Sequence, residues 1–454
     1  MNDDTIIAVS TSFGYGGIGI VRLSGDRALP VAKKIFHPER NYSGEPRRMI
    51  FGKIYHPERE EYFEEAMLVY FPAPKSYTSE DVVEISCHGS PVILEEIVRL
   101  GIKAGARQAR PGEFTQRAFL NGRMDMMQAE AVNDLIHASS LEQAELSYRQ
   151  VSGSLSGEIK ELRRRIIHIL SQIEASLEFP EDKVTTSSKK IKKAILNTRE
   201  KTGDLIKSYD IGKILKSGIQ VAIIGAPNVG KSTLFNSLLK EERAIVTPFP
   251  GTTRDYLSEP TLINGSRISL VDMAGVDTPR NPVEKEGIQK GKKIADESDG
   301  ILLLLDGSRR ETRHDLDLLK KYCRRRTIVV LNKMDLPRII NADRVRKAAA
   351  ECPVREISAL KKTCLDGLKK EMVDKFVPKH SENRELVFHL RQKILLEEIS
   401  GCLDNAVNML ERRQSEEIAA EEIRGTLPLI QQMTGEIRSD EIINDIFSRF
   451  CIGK

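Results

Sequence analysis

The segment at positions 225–232 has the residue types and the spacing of a phosphate-binding loop. It reads Gly-Ala-Pro-Asn-Val-Gly-Lys-Ser, fits the pattern G-x-x-x-x-G-K-[ST], and stands between a predicted strand, Val221–Ile224, and a predicted helix, Thr233–Leu239. Glycines let backbone N–H groups turn toward phosphate oxygens, and the start of a helix adds partial positive charge. We expect Lys231 to reach the β- and γ-phosphates and Ser232 to ligate Mg²⁺. A glycine-rich turn that matches by chance is the alternative, and the strand and helix around the motif argue against it.

A second set of residues is suited to recognising a purine base. Asn332-Lys-Met-Asp335 follows the predicted strand Thr327–Leu331, and Ser358-Ala-Leu360 follows another short apolar run. A carboxylate at position 335 can accept two N–H bonds from guanine that adenine does not offer in the same way, which favours GTP and opposes an ATP-dependent kinase or motor. Residues 358–360 could close over the base through their backbone. Read alone, residues 332–335 are equally well explained as a capping turn before Pro337, but their order after the phosphate loop favours the base site.

Two segments between these motifs could serve the metal and the γ-phosphate. Asp272-Met-Ala-Gly275 follows the predicted strand Ile268–Val271, so its carboxylate could hold the water shell of a metal and its glycine amide could face the γ-phosphate. The loop Thr247-Pro-Phe-Pro-Gly-Thr-Thr-Arg254 carries hydroxyls on Thr252 and Thr253, and either could bind Mg²⁺ once γ-phosphate is present. A loop ordered by that contact would be a conformational switch.

Hydrolysis needs a group that orients the attacking water, and the usual position does not provide one. Ras-type GTPases have a glutamine after the glycine, whereas this chain has Val276, whose side chain makes no hydrogen bond. Glu284 and Asp277 are the nearby polar candidates. From the residues alone, a solvated carboxylate at the start of a helix is the simpler interpretation of Glu284.

The motifs need a scaffold, and residues 216–378 predict one. Apolar runs typical of buried strands alternate there with helical stretches, which indicates a parallel, doubly wound α/β sheet. The clearest runs are Ile219–Ile224, Ile268–Val271, Ile301–Leu305 and Thr327–Leu331.

Other parts of the chain predict different structure. Residues 1–118 have the short, β-branched runs of a compact α+β domain, with a helix over Pro91–Leu100 that ends at Gly101. Residues 119–215 and 379–454 have apolar residues at helical spacing, so we predict one helical domain into which the α/β unit is inserted. The predicted strands of the first segment are Thr5–Val9, Gly19–Leu23, Glu65–Tyr70 and Val82–Ser86.

Composition narrows the class of protein. A chain of 454 residues is long enough for two to four domains, and a net charge of +4 does not by itself mark a nucleic-acid binder. The sequence lacks an apolar run of about 18 residues that could span a membrane, and its acidic N-terminus is not a signal peptide. Six cysteines without a C-x-x-C pair argue against a disulfide framework or a zinc site and favour the reduced thiols of a cytoplasmic protein.

The motifs together resemble the MnmE (also called TrmE) family of tRNA-modifying GTPases, over essentially the whole chain. The segments that carry the resemblance are 225–232 with Asn228, Gly251-Thr-Thr-Arg254, Gly16-Gly-Ile-Gly-Ile-Val-Arg22, Arg110-Pro-Gly-Glu-Phe114, Arg117-Ala-Phe-Leu-Asn121 and Phe450-Cys-Ile-Gly-Lys454. The resemblance implies a multidomain protein, with an N-terminal α+β folate-binding and dimerisation domain, a central all-α helical domain and an inserted α/β P-loop GTPase domain. It also implies a homodimer that forms a heterotetramer with MnmG, a flavin- and NADH-dependent partner.

The function implied by the resemblance is a modification of tRNA. Together the two proteins would add an aminomethyl or carboxymethylaminomethyl group to carbon 5 of the wobble uridine of certain tRNAs. The one-carbon donor would be a tetrahydrofolate derivative, in the 5-formyl or 5,10-methylene form. The G domains would pair and hydrolyse GTP when K⁺ is bound. A GTPase switch that docks on RNA or ribosomes without modifying them is the alternative, although the sequence has no recognisable RNA-binding module.

The resemblance also assigns roles to individual positions. It gives catalysis to Glu284 with Lys231, Mg²⁺ to Ser232 and Thr253, and K⁺ to Asn228, Thr247, Phe249 and Thr252. It gives folate binding to Arg22, Glu84, Arg123 and Lys454; at position 123 the family also has lysine, which keeps the charge but changes the donor geometry. The GTP contacts implied are Asn228, Val229, Gly230, Lys231, Ser232, Thr233, Thr247, Pro248, Phe249, Pro250, Gly251, Thr252, Thr253, Asp272, Met273, Ala274, Gly275, Asn332, Lys333, Asp335, Ser358, Ala359 and Leu360.

The segment Cys451-Ile-Gly-Lys454 allows two interpretations. It fits the prenylation pattern C-a-a-X poorly, because of its glycine and terminal lysine. It could reach a neighbouring pocket and present a thiol and an ammonium, or it could be a frayed terminus. The resemblance places it near the folate and suggests a functional thiol, while the chemical role of Cys451 stays open.

Overall fold

The computed structural model describes residues 4–40, 44–178, 188–241, 258–272, 296, 298–323, 326–378, 385–412, 416–437 and 439–454. The strands are β1 (Ile6–Val9), β2 (Gly16–Ser24), β3 (Phe36–Pro38), β4 (Ile50–His56), β5 (Glu61–Phe71), β6 (Val82–Gly89), β7 (Arg107–Gln108), β8 (Ile219–Gly225), β9 (Ser258–Ile263), β10 (Ser266–Asp272), β11 (Gly300–Asp306), β12 (Thr327–Asn332) and β13 (Val354–Glu356). The helices are α1 (Ala28–Ile35), α2 (Pro91–Lys103), α3 (Glu113–Leu120), α4 (Met126–Ile136), α5 (Leu141–Val151), α6 (Ser154–Glu178), α7 (Ser188–Ser217), α8 (Lys231–Glu241), α9 (Arg313–Tyr322), α10 (Ala342–Ala349), α11 (Leu365–Phe376), α12 (Leu390–Glu411), α13 (Glu416–Arg424), α14 (Thr426–Thr434) and α15 (Asp440–Ser448). None of the helices within these ranges has both the length and the apolar character that a bilayer crossing requires.

The described chain forms two compact units. The first combines residues 1–133, 150–164 and 424–454, and the second combines residues 134–149 and 165–423. Sequence-distant segments therefore meet within each unit. The domain boundaries given above remain predictions, because they were drawn from composition and pattern.

The first unit is built on a seven-stranded sheet with the order β3-β4-β5-β6-β2-β1-β7. Its strands pair antiparallel except for β1 with β7. Apolar residues alternate along β2, so that Val21 and Leu23 are fully buried in the core with α1 and α2, while Arg22 between them points to the opposite face. Arg22 lies directly opposite Glu84 of β6, which places a cation and a carboxylate side by side on that face.

All four strand runs predicted in this unit are strands, and the predicted helix is α2. The pattern did not reveal β3 and β4. The run of β4 is Ile-Phe-Gly-Lys-Ile-Tyr-His, in which Gly52 and Lys53 interrupt the apolar residues. The tertiary pairing with β5 therefore decides that this segment is a strand, rather than its local propensity.

The second unit contains a six-stranded sheet with the order β13-β12-β11-β8-β10-β9. Strands β8, β11 and β12 are buried on both faces, as their continuous apolar runs predict. The sheet is parallel except at one edge, where β9 pairs antiparallel with β10. The predicted parallel sheet is therefore found in β13, β12, β11, β8 and β10, and the edge strand β9 departs from it. The hairpin turn is Asn264-Gly265, with φ of +48° and +81°, and this dipeptide is the sequence signal that could have predicted it.

Long helices continue the chain before and after this sheet. Helix α7 ends at Ser217 and β8 begins at Ile219; after α11 the helical pattern resumes with α12. Helices α7 and α12 pack against each other, with ion pairs between Lys192 and Glu411 (2.7 Å) and between Arg199 and Asp404 (2.5 Å).

A buried carboxylate lies where α7 and α12 meet the connections to the sheet. Asp134 of α4 is 3% exposed, and its two oxygens accept from Lys216 Nζ at 2.8 Å and from His389 Nε2 at 2.9 Å. Lys216 is next to the last residue of α7, and His389 immediately precedes α12. We call these three residues the neck cluster. They join the segments that lead into and out of the six-stranded sheet unit to helix α4.

Candidate functional site

The phosphate loop connects the end of β8 to the start of α8. Asn228 has φ of +61° and Gly230 has φ of +99°, so the loop passes twice through the left-handed region. A Cβ on Gly230 would lie 2.3 Å from Asn332 Nδ2, so only glycine fits there. The loop therefore needs a glycine both for its conformation and for the close approach of the base loop.

Lys231 begins α8, and its ammonium lies inside the loop. The side chain is buried, and Nζ donates to Gly225 O at 2.7 Å and to Ala226 O at 3.0 Å. Ser232 and Thr233, the next two residues of the helix, are exposed. The first turn of α8 thus presents a cation and two hydroxyl groups beside backbone N–H groups that have no partner within a helix, which is the arrangement that favours phosphate.

Asn332 connects the phosphate loop to the base loop. Its Nδ2 donates to Val229 O at 2.9 Å, and its Oδ1 accepts from Ala359 N at 2.9 Å. The residue is 2% exposed, so both hydrogen bonds are shielded from water. Residues 225–232, 332–335 and 358–360, which the sequence analysis selected separately, are therefore brought together at the carboxyl ends of β8, β12 and β13.

Asp335 is the exposed carboxylate of this group. Its Oδ1 accepts from Ser358 Oγ at 2.6 Å, and that hydrogen bond, first among several causes, lowers its pKa below the ordinary value. Leu360, two positions after Ser358, is 72% exposed. An ionised carboxylate with a free oxygen and an apolar neighbour is suited to accept N–H bonds from the edge of a guanine.

Several predicted residues lie outside the described part of the chain. The backbone of Asp272 ends β10, paired with Ile223 of β8, but its side chain is not described. The others outside the described ranges are Thr247, Pro248, Phe249, Pro250, Gly251, Thr252, Thr253, Met273, Ala274, Gly275, Val276, Asp277 and Glu284. Of the predicted metal ligands, only Ser232 and Asn228 are therefore placed, and the remaining described residues contain no group of three or more His, Cys, Asp or Glu side chains that could hold a metal ion.

A second site lies in the first unit, on the sheet face that carries Arg22. The Arg22 guanidinium is 2.8 Å from Glu84 Oε1 and stands over the rings of Tyr77 (5.3 Å) and Phe114 (5.6 Å). Arg123 stands over Tyr77 as well, at 5.2 Å. Two cations, a carboxylate and two aromatic rings thus form one cluster, which we call the arginine pocket.

Residues 451–454 are docked against this pocket rather than frayed. Gly112 N donates to Cys451 O at 3.3 Å, and Phe114 N donates to Lys454 O at 3.1 Å. Gly453 has φ of +96°, and a Cβ there would lie 2.0 Å from Val9 O. The segment therefore fits against β1 and the start of α3 only because position 453 is glycine.

Lys454 brings a third cation to the arginine pocket. Burial lowers the pKa of its ammonium below the ordinary value, the charge of Arg22 lowers it further, and the charge of Glu84 opposes both effects. The structure thus brings Arg22, Glu84, Arg123 and Lys454 together, while folate binding by these residues stays a prediction. Cys451 is a partly exposed, free thiol in the same segment.

The aromatic residues of the pocket were missed by the sequence analysis. Tyr77 lies in an irregular segment, and Phe114 belongs to the segment Arg110-Pro-Gly-Glu-Phe114, which was selected for the family resemblance and not for its aromatic ring. No spacing rule joins two aromatic residues that are this far apart in the chain. Asp306 was missed as well, although its position at the end of an apolar strand, like those of Asp272 and Asn332, was a usable signal.

Comparisons with known proteins decide the family. The model of the MnmE helical domain matches residues 126–451, and the model of the GTP-binding protein TrmE N-terminus matches residues 5–123. The chain belongs to the MnmE family. Curated relatives named tRNA modification GTPase MnmE include those of Thermoanaerobacter sp. (strain X514), 39% identical over 99% of both chains, and of Aquifex aeolicus (strain VF5), 39% identical over 99% of this chain and all of the relative.

Membership of the MnmE family makes this chain a tRNA modification GTPase, and thus a GTP hydrolase. The predicted fold class, with an N-terminal TrmE-type domain, an MnmE helical domain and an α/β P-loop unit, is confirmed. Among solved structures, that of a point variant of Aquifex aeolicus Era bound to GDP·AlF4⁻ is 28% identical, with a TM-score of 0.30 over 40% of this chain and 66% of that one, which is too low for a structural comparison.

Proposed function

We propose that this MnmE-family chain hydrolyses GTP to drive a tRNA modification that it carries out with a flavin- and NADH-dependent partner of the MnmG type. The product would be an aminomethyl or carboxymethylaminomethyl group on carbon 5 of the wobble uridine of certain tRNAs. The observation that carries the nucleotide part is Asn332, which holds the phosphate loop and the base loop at one edge of the sheet with Asp335 beside them. The family relationship supports the tRNA part.

The metal assignments of this proposal rest on the two placed ligands. Ser232 offers an exposed hydroxyl at the start of α8, where Mg²⁺ bound to the β- and γ-phosphates would be reached, and Thr253 would be the second ligand. Asn228 offers an exposed amide oxygen in a loop residue with φ of +61°, as a K⁺ ligand with Thr247, Phe249 and Thr252. When bound, these cations would offset the negative charge that develops during hydrolysis.

The chain's own residues would bind and orient the substrate. Lys231 would transfer its hydrogen bonds from loop carbonyls to phosphate oxygens, which are better acceptors because they are charged. Glu284 would orient the attacking water, since Val276 has no polar group to do so.

The arginine pocket has the chemistry that a reduced folate requires. Arg22, Arg123 and Lys454 offer cations to the glutamate carboxylates of a folate, and Glu84 offers an acceptor to the N–H groups of a pterin. The rings of Tyr77 and Phe114 offer apolar faces beside them. When bound, the folate would supply the one-carbon unit, in its 5-formyl or 5,10-methylene form.

The remaining parts of the proposal follow from the family resemblance. They are a cytoplasmic homodimer through residues 1–118, a helical domain over 119–215 and 379–454, a G domain over 216–378, and a heterotetramer with the MnmG-type subunit. The rival function, a GTPase that docks on RNA or ribosomes and signals by conformation, would use the nucleotide site and leave the arginine pocket without a role.

The test is equilibrium binding on the full chain. We expect the protein with Mg²⁺ to bind GTP but not ATP, and to bind 5-formyl-tetrahydrofolate. GTP binding without folate binding would favour the rival function, and no GTP binding by folded protein would contradict the proposal altogether. The wobble uridines of tRNA from cells that lack the protein, analysed by mass spectrometry, should lack the carbon-5 group.

A further inference from the structure

Asp306 is a buried carboxylate at the carboxyl end of β11. In the sheet, β11 lies between β8, which leads into the phosphate loop, and β12, which leads into the base loop. The residue is 7% exposed. Oδ1 accepts from Ser308 Oγ at 2.6 Å and from Ser308 N at 2.9 Å, and Oδ2 accepts from Lys333 Nζ at 2.7 Å. All these donors favour the ionised carboxylate, so that although burial alone would raise the pKa of Asp306, the net effect is to lower it.

Lys333, the partner of Asp306 in this ion pair, has an unusual backbone conformation. Its φ is +65°, which is uncommon for a residue other than glycine. Asn332, the residue before it, is fixed to Val229 and Ala359 by the hydrogen bonds described above. Because Asp306 and Asn332 are register partners on adjacent strands, the Lys333 side chain runs from the end of β12 across to the end of β11.

The alkyl part of Lys333 therefore spans the carboxyl edge of the sheet from β12 to β11, and the next strand, β8, leads into the phosphate loop. A base recognised by Asp335, on a nucleotide whose phosphates lie in the loop at 225–232, must pass the same edge. Four methylene groups in a fixed position form an apolar wall for a flat purine, whereas a free lysine side chain samples many rotamers. The ion pair with Asp306 supplies the fixed position.

We propose that Asp306 is a positioning residue for guanine recognition, acting through Lys333. The inference rests on the proposed binding of GTP and assigns a role within that site to a carboxylate that touches neither the phosphates nor the base. Removing its charge should therefore weaken base binding and leave phosphate binding and the chemical step as they are.

The test is Asp306→Asn in the full-length protein. We expect the dissociation constants of GTP and GDP to rise about tenfold, as for the loss of one charge-assisted contact. The KM for GTP should rise similarly while kcat at saturation is unchanged. The affinity for inorganic triphosphate, which contacts only the phosphate loop, should not change.

Asp315→Asn is the matched control, because Asp315 is also a buried carboxylate of the second unit. It is 1% exposed, and it accepts from Arg309 and from the cap residue Thr312 of α9, neither of which belongs to the base loop. We expect its loss to lower the melting temperature without changing the GTP dissociation constant. If the GTP dissociation constant of Asp306→Asn rises no more than that of Asp315→Asn at an equal loss of melting temperature, the proposal is overturned.

A second variant, Lys333→Met, keeps a long alkyl side chain but removes the ammonium group that pairs with Asp306. It leaves the hydrogen bonds between Asp306 and Ser308 in place. We expect it to weaken GTP binding, and we expect Asp306→Asn to add nothing further in the double variant, since both act through one contact. Additive losses, or a Lys333→Met protein with unchanged GTP affinity, would overturn the role of Asp306. Failure of the unaltered protein to bind GTP is a different result, since it would contradict the proposed function itself.

Discussion

Asn332 and Asp335 divide the work of the base loop between a structural amide and a free carboxylate. An amide both donates and accepts, so Asn332 can satisfy Val229 O and Ala359 N at once while it is buried. A carboxylate only accepts, so Asp335 accepts one hydrogen bond from the Ser358 hydroxyl and keeps acceptor capacity for a ligand. Exchanging the two residue types would leave one group unsatisfied at each position.

Asp335→Asn tests the base assignment. We expect it to weaken GTP binding by about tenfold or more, because it replaces charge-assisted acceptors with an amide whose N–H groups oppose those of guanine. The discrimination against other purine nucleoside triphosphates should fall as well. Calorimetric titration with GTP and inosine triphosphate measures both effects. Asp343→Asn, which changes an exposed carboxylate of α10, is the control; an unchanged GTP affinity for Asp335→Asn would show that the base lies elsewhere.

Glu284→Ala tests the catalytic assignment. We expect normal GTP affinity and a kcat lower by about 100-fold, the order of effect seen when a positioned acid–base or water-orienting group is removed. Single-turnover hydrolysis is the measurement, with Asp277→Ala as the comparison. If Asp277→Ala is the slow variant and Glu284→Ala is not, the roles of these two carboxylates are reversed.

Sequence predicts residues of this kind when their chemistry lies in a short motif. Lys231, Ser232, Asn332 and Asp335 could be selected because a few neighbours fix their backbone. Tyr77 could not, because its contacts with Arg22 and Arg123 come from residues 55 and 46 positions away and depend on how the sheet folds.

At the scale of the elements, the neck cluster fixes two helices to a third. Burial alone would raise the pKa of Asp134, but the hydrogen bonds and charges of His389 and Lys216 outweigh it, so the pKa lies below the ordinary value of 3.8. A carboxyl whose pKa is lowered by folding stabilises the folded state above its unfolded pKa. This contribution should therefore be complete above pH 3.8 and be lost as the pH falls further.

Asp134→Asn should lower the free energy of unfolding by about 2–4 kcal/mol, since it leaves Lys216 and His389 without their buried partner. Denaturant unfolding at neutral pH measures the loss, and a series below pH 4 should show a shallower decline for the variant than for the unaltered protein. Asp204→Asn removes an exposed carboxylate of α7 that is 3.9 Å from Lys207, and it should change stability by less than about 0.5 kcal/mol. If the two substitutions lower the free energy of unfolding equally, the neck cluster does not stabilise the fold.

Gly453→Ala tests the docking of residues 451–454. An added Cβ would collide with Val9 O, so we expect the segment to leave the arginine pocket and Lys454 to go with it. Binding of 5-formyl-tetrahydrofolate should weaken about tenfold, as for the loss of one charged contact, while GTP affinity is unchanged. Gly122→Ala is a control at another left-handed glycine, where an added Cβ meets no atom within 4 Å. Full folate affinity in Gly453→Ala would show that Lys454 is not needed there.

The elements that sequence predicted are those with strong periodicity. The long helix α6 repeats apolar residues at helical spacing, and the buried strands β8, β11 and β12 are continuous apolar runs. Strand β9 was missed because an edge strand is only partly buried, and β4 because Gly52 interrupts it. In both cases pairing with a neighbouring strand supplies what the local sequence lacks.

At the scale of the whole molecule, the rate of GTP hydrolysis should depend on the monovalent cation in the buffer. Since Asn228 would help to hold K⁺ beside the phosphates, we expect GTP turnover to be about tenfold or more faster in K⁺ than in Na⁺ at equal ionic strength, as expected for a charge-stabilising group at the phosphates. Asn228→Ala should abolish the difference. Equal rates in both salts would remove the cation from the proposed function.

The alternation of α+β, helical and α/β patterns was enough to predict the fold class. It could not predict that residues 424–454 join residues 1–133 in one compact unit, because helical spacing specifies a buried face and not the partner that covers it.

That joining has a consequence for biosynthesis. Ser10 Oγ donates to Gly453 O, across 443 positions of the chain. At a ribosomal rate of about 5–20 residues per second, the two partners emerge roughly 20–90 s apart. The N-terminal sheet is therefore synthesised before the segment that covers it, and the nucleotide-binding unit is made in between. Nascent chains should therefore acquire GTP affinity before folate affinity, because Lys454 is made after every residue of the nucleotide site.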